Sequence, residues 1–451
     1  MHADRAFFDA CRDASRGLPF ASAQGRLVAL RGTLLAARGL SGRVGDLYEV
    51  RGSDQSLHAE LVGFDDELRL LAPLGEVEGI APGARIRRVS DGTARPQPGA
   101  ALGRVIDALS RPLDGGPPLQ LLRRSERTNG DAVSRSDGIL RADVLRRGRI
   151  DTPFDVGIRS INGFATLGRG MRVGLFAGSG VGKSTLLGQI ARAGEADAIV
   201  VALIGERGRE VREFVEESLG DALSRSVVVV ATSDEPAGLR RRAAYLATEI
   251  AADLRQQGQH VLLLMDSLTR FCTAQRELGL SAGEPPATRG YPPSVWAELP
   301  RLVERAGTSF GRGTVTGIFT VLVEGDDLDE PVADAARAVL DGHVVLSREL
   351  AEQGHYPPVD VLASVSRVMD EVISADHAAS ARGARTLLAA LRSARDLISI
   401  GAYAAGADPD VDRARLLEGS LRDFLHQGRD ERSSIDESFA RLAEILAGES
   451  R

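Results

Sequence analysis

The chain has 451 residues, a formal net charge of −7, and 43% hydrophobic and 26% charged residues. This length predicts two or three domains, and the negative charge gives no general attraction to nucleic acid. Two distant cysteines, Cys11 and Cys272, do not indicate a disulfide framework. No apolar run approaches the roughly 18 residues of a membrane-spanning helix. These properties predict a globular protein of the reducing cytoplasm.

Residues 1–22 form a short leader in which Phe7, Cys11 and Ala14 recur at helical spacing among charged residues. The leader has no apolar core of the kind found in signal peptides. One interpretation is an amphipathic helix that docks on a partner or lies on a membrane surface. The alternative is a frayed terminus.

Residues 23–95 consist of short apolar runs separated by glycines, at a spacing near ten residues. This pattern predicts a small β-barrel. Its only aromatic residues are Tyr48 and Phe64. A barrel that binds single-stranded nucleic acid needs a basic groove with stacking aromatics, so we expect a structural or ring-forming domain instead.

Residues 96–375 begin with a Pro-, Gly- and Arg-rich connection and continue with alternating strand and helix patterns. The predicted strands are continuous apolar runs at 171–176, 198–204, 226–231, 260–265 and 313–323. Such runs are typical of strands buried on both faces, which predicts a doubly wound parallel α/β domain.

Residues 376–451 lack strand patterns and predict a C-terminal helical domain. Leu387, Leu391, Ala394 and Ile398 make an apolar stripe at helical spacing. The segment 434–437 (Ser-Ile-Asp-Glu) is a capping box for a last helix.

The most informative stretch lies between a short apolar strand and an amphipathic helix. Gly-Lys-Ser at the start of that helix, after a Gly-rich turn, is typical of a phosphate-binding P-loop. Backbone N–H groups and the helix N-terminus would surround phosphate oxygens. The usual pattern opens with Gly, and this chain has Ala177 there. The predicted phosphate-binding residues are Gly178, Ser179, Gly180, Val181, Gly182, Lys183, Ser184 and Thr185.

Lys183 is the single lysine among 56 basic residues, and all the others are arginine. An ammonium is a compact point charge, whereas a guanidinium is a wide planar fork. A lysine found only inside the predicted phosphate site indicates that arginine does not fit there. Its expected role is to bind the β- and γ-phosphates, with the Ser184 hydroxyl on Mg²⁺.

Two carboxylates follow predicted strands near the P-loop. Asp266 ends the apolar run Leu-Leu-Leu-Met at 262–265, where we expect it to help hold Mg²⁺. Glu206 ends the preceding strand of the predicted sheet behind a glycine. Hydrolysis needs a carboxylate that orients a water molecule, and Glu206 is the predicted residue. Arg209 and Glu210 also fit ordinary helix ion pairs.

Seven sequence motifs follow one another along the chain. They are AGSGVGKS at 177–184, IGERGREV at 204–211, LMDSLTRF at 264–271, GEPPATRGYPPS at 283–294, LDGHVVLSR at 340–348, GHYPPVD at 354–360 and SVSR at 364–367. In these segments the chain resembles the flagellar and type III secretion export ATPases, which are similar to the catalytic subunits of rotary ATP synthases. The resemblance covers nearly the whole chain from about residue 25 and implies a RecA-like ATPase domain that uses ATP and Mg²⁺.

The resemblance also implies residue roles. Glu206 matches the glutamate that activates water, and Arg207 is its neighbour near the γ-phosphate. Asp266 matches the Walker B aspartate, Tyr356 the aromatic that stacks on adenine, and Arg367 the arginine finger that reaches a neighbouring subunit's nucleotide.

One chain that carries both Glu206 and Arg367 predicts a homo-oligomeric ring in which each subunit completes its neighbour's site. The resemblance implies a homohexamer at the cytoplasmic face of the inner membrane. It also implies four kinds of partner: a peripheral regulator at the N-terminal leader, a coiled-coil stalk protein, export chaperone–substrate complexes, and an export gate reached through partners. No nucleic acid partner is expected.

Three other interpretations share part of this pattern. The segments 325–328 and 424–432 favour the flagellar branch over a virulence-type (injectisome) secretion ATPase. A non-catalytic nucleotide-binding ring subunit would have lost the water-activating carboxylate, and Glu206 argues against it. A hexameric RNA helicase would need a basic, aromatic N-terminal barrel.

Overall fold

The computed structural model describes residues 24–52, 55–90, 95–122, 147–311, 313–323, 325, 327 and 329–448. The predicted leader helix at 1–22 lies outside the described residues. The chain divides into two compact units, one of which contains the N-terminal strands and the other the large sheet and the C-terminal helices.

The N-terminal strands close into a six-stranded barrel in the order β1-β2-β5-β4-β3-β6. Inward-facing side chains such as Leu35, Tyr48, Leu61 and Leu71 fill the barrel and are almost completely buried. This confirms the predicted barrel. The strands are β1 (Gln24–Arg31), β2 (Leu34–Arg38), β3 (Leu47–Arg51), β4 (Ser56–Asp65), β5 (Leu68–Pro73) and β6 (Arg85–Ser90).

The second unit begins with short elements that lead into the large sheet. They are β7 (Arg95–Pro96), α1 (Pro98–Ala101), β8 (Arg104–Asp107), β9 (Leu121–Leu122), β10 (Pro153–Phe154), α2 (Arg159–Phe164), β11 (Leu167–Gly168), β12 (Arg172–Ala177), α3 (Lys183–Ala193), β13 (Ala198–Glu206) and α4 (Gly208–Glu213). A π-helical turn (Phe214–Leu219) and a 3₁₀ turn (Gly220–Arg225) follow α4.

The remaining elements complete the sheet and add the C-terminal helices. They are β14 (Ser226–Thr232), α5 (Ala237–Gln256), β15 (His260–Asp266), α6 (Leu268–Ser281), α7 (Pro293–Val303), β16 (Gly307–Thr308), β17 (Thr314–Leu322), α8 (Pro331–Val339), β18 (Gly342–Leu346), α9 (Arg348–Glu352), β19 (Val359–Ser366), α10 (Met369–Val372), α11 (Ala375–Ser399), α12 (Pro409–Leu425) and α13 (Ile435–Leu446).

The sheet runs in the order β19-β18-β12-β17-β15-β13-β14-β8, with β16 paired to β17 at the side. Seven of these strands are parallel, and β19 and β16 are antiparallel. The central strands are buried along nearly their whole length, as their continuous apolar sequences predict. This confirms the doubly wound domain. Because parallel strands share an orientation, the carboxyl ends of β12, β15 and β13 meet at one edge of the sheet.

The C-terminal helices pack on the sheet domain through an apolar cluster that includes Phe424, Leu387 and Leu442. The Phe424 ring meets the Phe164 ring of α2 edge-on at 6.2 Å between centroids. Ser434 and Glu437 form the predicted capping box of α13. The C-terminal helical region is therefore confirmed.

Candidate active site

The turn between β12 and α3 has the geometry of an anion cradle. Gly180 and Gly182 adopt positive φ values of 78° and 91°, which glycine reaches without steric cost. No side chain caps the N-terminus of α3, so its first N–H groups are available to a ligand. Ala177 is the last residue of β12 and is buried in the sheet, so the turn forms without a glycine at that position. Ser179, Gly180, Ser184 and Thr185 are exposed at the mouth of the turn.

Lys183 joins the cradle to two acidic side chains. Its Nζ lies 2.5 Å from Oδ1 of Asp266 and 3.5 Å from Oε1 of Glu206. Asp266 ends β15, is 2% exposed, and accepts a 2.7 Å hydrogen bond from the Thr320 hydroxyl. One cation among buried carboxylates at the carboxyl edge of a parallel sheet is suited to polyphosphate chemistry.

Glu206 is the most perturbed carboxyl group of this cluster. Its pKa is raised to about 7, chiefly by burial and then by the negative charge of Asp266, while Lys183 opposes the rise. The Glu206 side chain is only 7% exposed, and its Oε1 makes no hydrogen bond but lies 3.5 Å from the Lys183 ammonium. A buried carboxylate with a pKa near neutrality is able to accept a proton from water.

Arg270 belongs to this cluster, and the sequence analysis gave it no role. One guanidinium nitrogen donates to the Gly205 carbonyl, and another lies 3.4 Å from Oε2 of Glu206. Arg270 comes one helical turn after Asp266, at the start of α6. The signal that could have found it is a basic residue four positions after a strand-ending aspartate.

Tyr356 lies beside the cradle although it is far away in the sequence. A Cβ atom built on Gly182 would lie 3.7 Å from the Tyr356 ring, and the tyrosine is 46% exposed. An exposed aromatic face next to a phosphate cradle is able to stack on a base.

Two predicted residues are not part of this cluster. The Arg207 side chain is 80% exposed and pairs with Glu210 at 3.5 Å. Arg367 donates to the carbonyl oxygens of Leu340 and Arg337, each at 3.1 Å, at the C-terminal end of α8.

Arg367 lies at the opposite edge of the sheet from its own P-loop. Its backbone N–H donates to the carbonyl oxygen of Asp341. The Asp341 N–H in turn donates to the carbonyl oxygen of Arg172, at the amino end of β12. The cradle follows the carboxyl end of the same strand. The six residues of β12 span five steps of ~3.3 Å, which separate the two ends by roughly 16 Å. Arg367 therefore lies away from its own P-loop.

No helix among the described residues is long and apolar enough to cross a membrane.

Comparisons with known proteins identify the family of the chain. Residues 157–366 match the model of the ATP synthase alpha/beta family, nucleotide-binding domain, and residues 373–444 match the T3SS EscN ATPase C-terminal domain. The flagellum-specific ATP synthase of Pseudomonas aeruginosa is 51% identical, over 94% of this chain and 93% of that protein. The type 3 secretion system ATPase of Xanthomonas euvesicatoria is 45% identical, over 93% of both chains.

Solved structures of type III secretion ATPases match the fold of this chain. The assembled ATPase EscN from the type III secretion system of enteropathogenic E. coli matches with a TM-score of 0.86 and 40% identity, over 94% of this chain and 100% of that one. EscN in complex with its central stalk EscO matches with a TM-score of 0.82 and 39% identity. These matches confirm the resemblance and the fold class. The chain belongs to the family of flagellum-specific ATP synthases and type 3 secretion system ATPases, and it is an ATPase.

Proposed function

We propose that this chain is the ATP-hydrolysing subunit of a homohexameric motor in a flagellar or type III protein export apparatus. Hydrolysis would drive the release, unfolding and export of protein substrates. The flagellar relatives from P. aeruginosa, Caulobacter vibrioides and Bacillus subtilis are 51%, 49% and 45% identical, and the type 3 secretion relatives are 45–46% identical. We favour the flagellar branch because the highest of these identities are to flagellar relatives and because segments 325–328 and 424–432 are of the flagellar kind.

The nucleotide would lie along the P-loop. Backbone N–H groups of residues 178–185 would bind phosphate oxygens, with Lys183 at the β- and γ-phosphates. Tyr356 would stack on adenine. Ser184 and Asp266 would hold Mg²⁺, which prefers hydroxyl and carboxylate oxygens together with substrate phosphates. Bound Mg²⁺ neutralises charge on the phosphate oxygens.

Glu206 would act as the general base. A water oxygen forms a bond to the γ-phosphorus while the bond to the bridging oxygen of ADP breaks. Glu206 takes one water proton, and the products are ADP and phosphate. Arg270, held by Gly205 and Glu206, and the exposed Arg207 would supply positive charge near the γ-phosphate. Glu206 argues against the alternative of a non-catalytic ring subunit.

One observation carries the ring proposal: the structure separates Arg367 from its own P-loop. An exposed guanidinium anchored at the far edge of the sheet is suited to reach the nucleotide of a neighbouring copy. The solved EscN relatives are described as assembled and as bound to a central stalk, which supports a ring with a coiled-coil stalk partner.

The other partners follow from the same proposal. Leu397, Ile400 and Leu416 are 50%, 75% and 85% exposed in the helical region, which supports docking of the stalk or of chaperone–substrate complexes there. A peripheral regulator would bind residues 1–22. Partners would connect the ring to the export gate at the cytoplasmic face of the inner membrane.

Shared sites predict that activity depends on assembly. We expect the ATPase rate per subunit to rise steeply with protein concentration as particles of about six subunits form. Phosphate release and particle mass are measured on the same samples. Arg367→Ala serves as the control, because it should form the same particles without the increase in rate. A constant rate from monomers would mean that each site is complete alone.

A further inference from the structure

Two buried glutamines connect the P-loop helix to Tyr356. Gln189 lies on α3 and is 5% exposed, and Gln427 follows α12 and is 2% exposed. Burying a primary amide is unfavourable unless its polar atoms are hydrogen-bonded. Their partners therefore indicate what the two side chains do.

Gln189 holds a short segment of the chain against α3. Its Nε2 donates to the carbonyl oxygens of Gly428 and Arg429, each at 3.0 Å. Arg192, one turn further along α3, also donates to the Arg429 carbonyl at 3.2 Å. We call residues Gln427–Arg429 the bridge segment. An apolar side chain at 189 would fill the same space, but it would leave the two carbonyl groups without this donor.

The bridge segment in turn fixes the backbone at Tyr356. The Gln427 N–H donates to the Tyr356 carbonyl oxygen at 2.9 Å. The Gln427 side chain is itself fixed, since it donates to the Gly157 carbonyl at 2.7 Å and accepts from the Arg159 N–H at 2.8 Å. Hydrogen bonds thus run from the P-loop helix through the bridge segment to the aromatic residue.

We propose that Gln189 is a positioning residue that sets Tyr356 relative to the P-loop. The Tyr356 ring lies against Gly182, at the start of the helix that carries Gln189. A nucleotide meets both parts at once, its phosphates on the P-loop and its base on the tyrosine. Gln189 fixes the spacing that a nucleoside triphosphate needs. The inference rests on the proposed stacking of Tyr356 on the base.

The test compares a ligand that has a base with one that has none. Dissociation constants for AMP-PNP and for inorganic tripolyphosphate, each with Mg²⁺, are measured by calorimetry on the full chain. We expect Gln189→Leu to weaken AMP-PNP binding about three- to tenfold, the size of one lost hydrogen-bonded contact. Tripolyphosphate binding should stay at the wild-type value, because it makes no contact with Tyr356.

Tyr356→Ala sets the size of the base contribution. It should weaken AMP-PNP binding about tenfold or more. Adding Gln189→Leu to it should cause little further loss, since both changes remove the same contact. Gln189→Met keeps the length and the approximate volume of the side chain but has no donor, so it should give the same two affinities as the leucine variant and serves in its place if that variant folds poorly.

Gln275→Leu is the matched control. Gln275 lies on α6 and is also buried, at 8% exposure. Its side chain donates to the Ser294 hydroxyl at 3.2 Å. It should leave both affinities unchanged. Equal weakening of AMP-PNP and tripolyphosphate by the Gln189 variants would overturn the inference, because Gln189 would then only support the P-loop helix. Unchanged AMP-PNP binding in those variants would overturn it too. If Tyr356→Ala has no effect on AMP-PNP, the base-stacking role fails, and the inference fails with it.

Discussion

Glu206→Gln should lower the steady-state rate of ATP hydrolysis about a thousandfold, within the range for removal of a general base. The amide keeps the shape of the side chain but cannot accept a proton from water. Nucleotide affinity should stay within about threefold of wild type, because the neutral amide removes a negative charge from beside Lys183 and leaves the P-loop intact. Phosphate release and AMP-PNP binding measure the two effects on one preparation.

Glu213→Gln is the control for this change. Glu213 lies on α4, is 51% exposed, and pairs with Arg209 at 3.4 Å. Exposed pairs of this kind contribute little, so its hydrolysis rate should match the wild type. A Glu206→Gln protein that retains more than about a tenth of the wild-type rate would exclude Glu206 as the base.

Lys183→Arg should also lower turnover strongly, although it preserves the charge. Lys183 Nζ fits between Asp266 and Glu206, both nearly fully buried. A planar guanidinium is wider than an ammonium and cannot take this position without displacing one carboxylate. We expect the hydrolysis rate to fall about a hundredfold or more, the effect of removing one stabilising group from developing phosphate charge.

Arg301→Lys is the control for Lys183→Arg, because it makes the reverse substitution at an exposed position. Arg301 is 72% exposed and pairs with Glu298 at 2.9 Å, so Arg301→Lys should have wild-type activity. Circular dichroism and particle mass show whether each variant folds and assembles. A fully active Lys183→Arg protein would refute the argument that the site requires a compact cation.

The strands of the sheet interior were predictable because burial on both faces leaves a continuous apolar sequence. The predicted strand at 198–204 corresponds to β13, and that at 260–265 corresponds to β15. Strands β18 and β19, at one side of the sheet, were missed because they are only partly buried and mix polar with apolar residues. β18 is set by its pairing with β12, which is distant in sequence, and β19 by its pairing with β18.

The residues of the candidate site were predictable from the sequence where each lies in a recognisable local pattern. The P-loop, Glu206 and Asp266 follow from strand ends and glycines. Tyr356 came only from resemblance, since nothing local connects it to a turn about 170 residues earlier. The position of Arg367 at the far edge of the sheet depends on the register of β18 and β19, which a linear sequence does not contain.

The central claim is that one subunit's Arg367 completes another subunit's site. Mixing Arg367→Ala subunits with Lys183→Ala subunits tests this claim most directly. Each variant alone should be inactive. In randomly mixed rings, a quarter of the interfaces at most have an intact P-loop facing an intact finger, so activity should rise to about a quarter of the wild-type rate near equal proportions. No gain over the two separate variants, in rings shown by mass to contain both, would contradict the account.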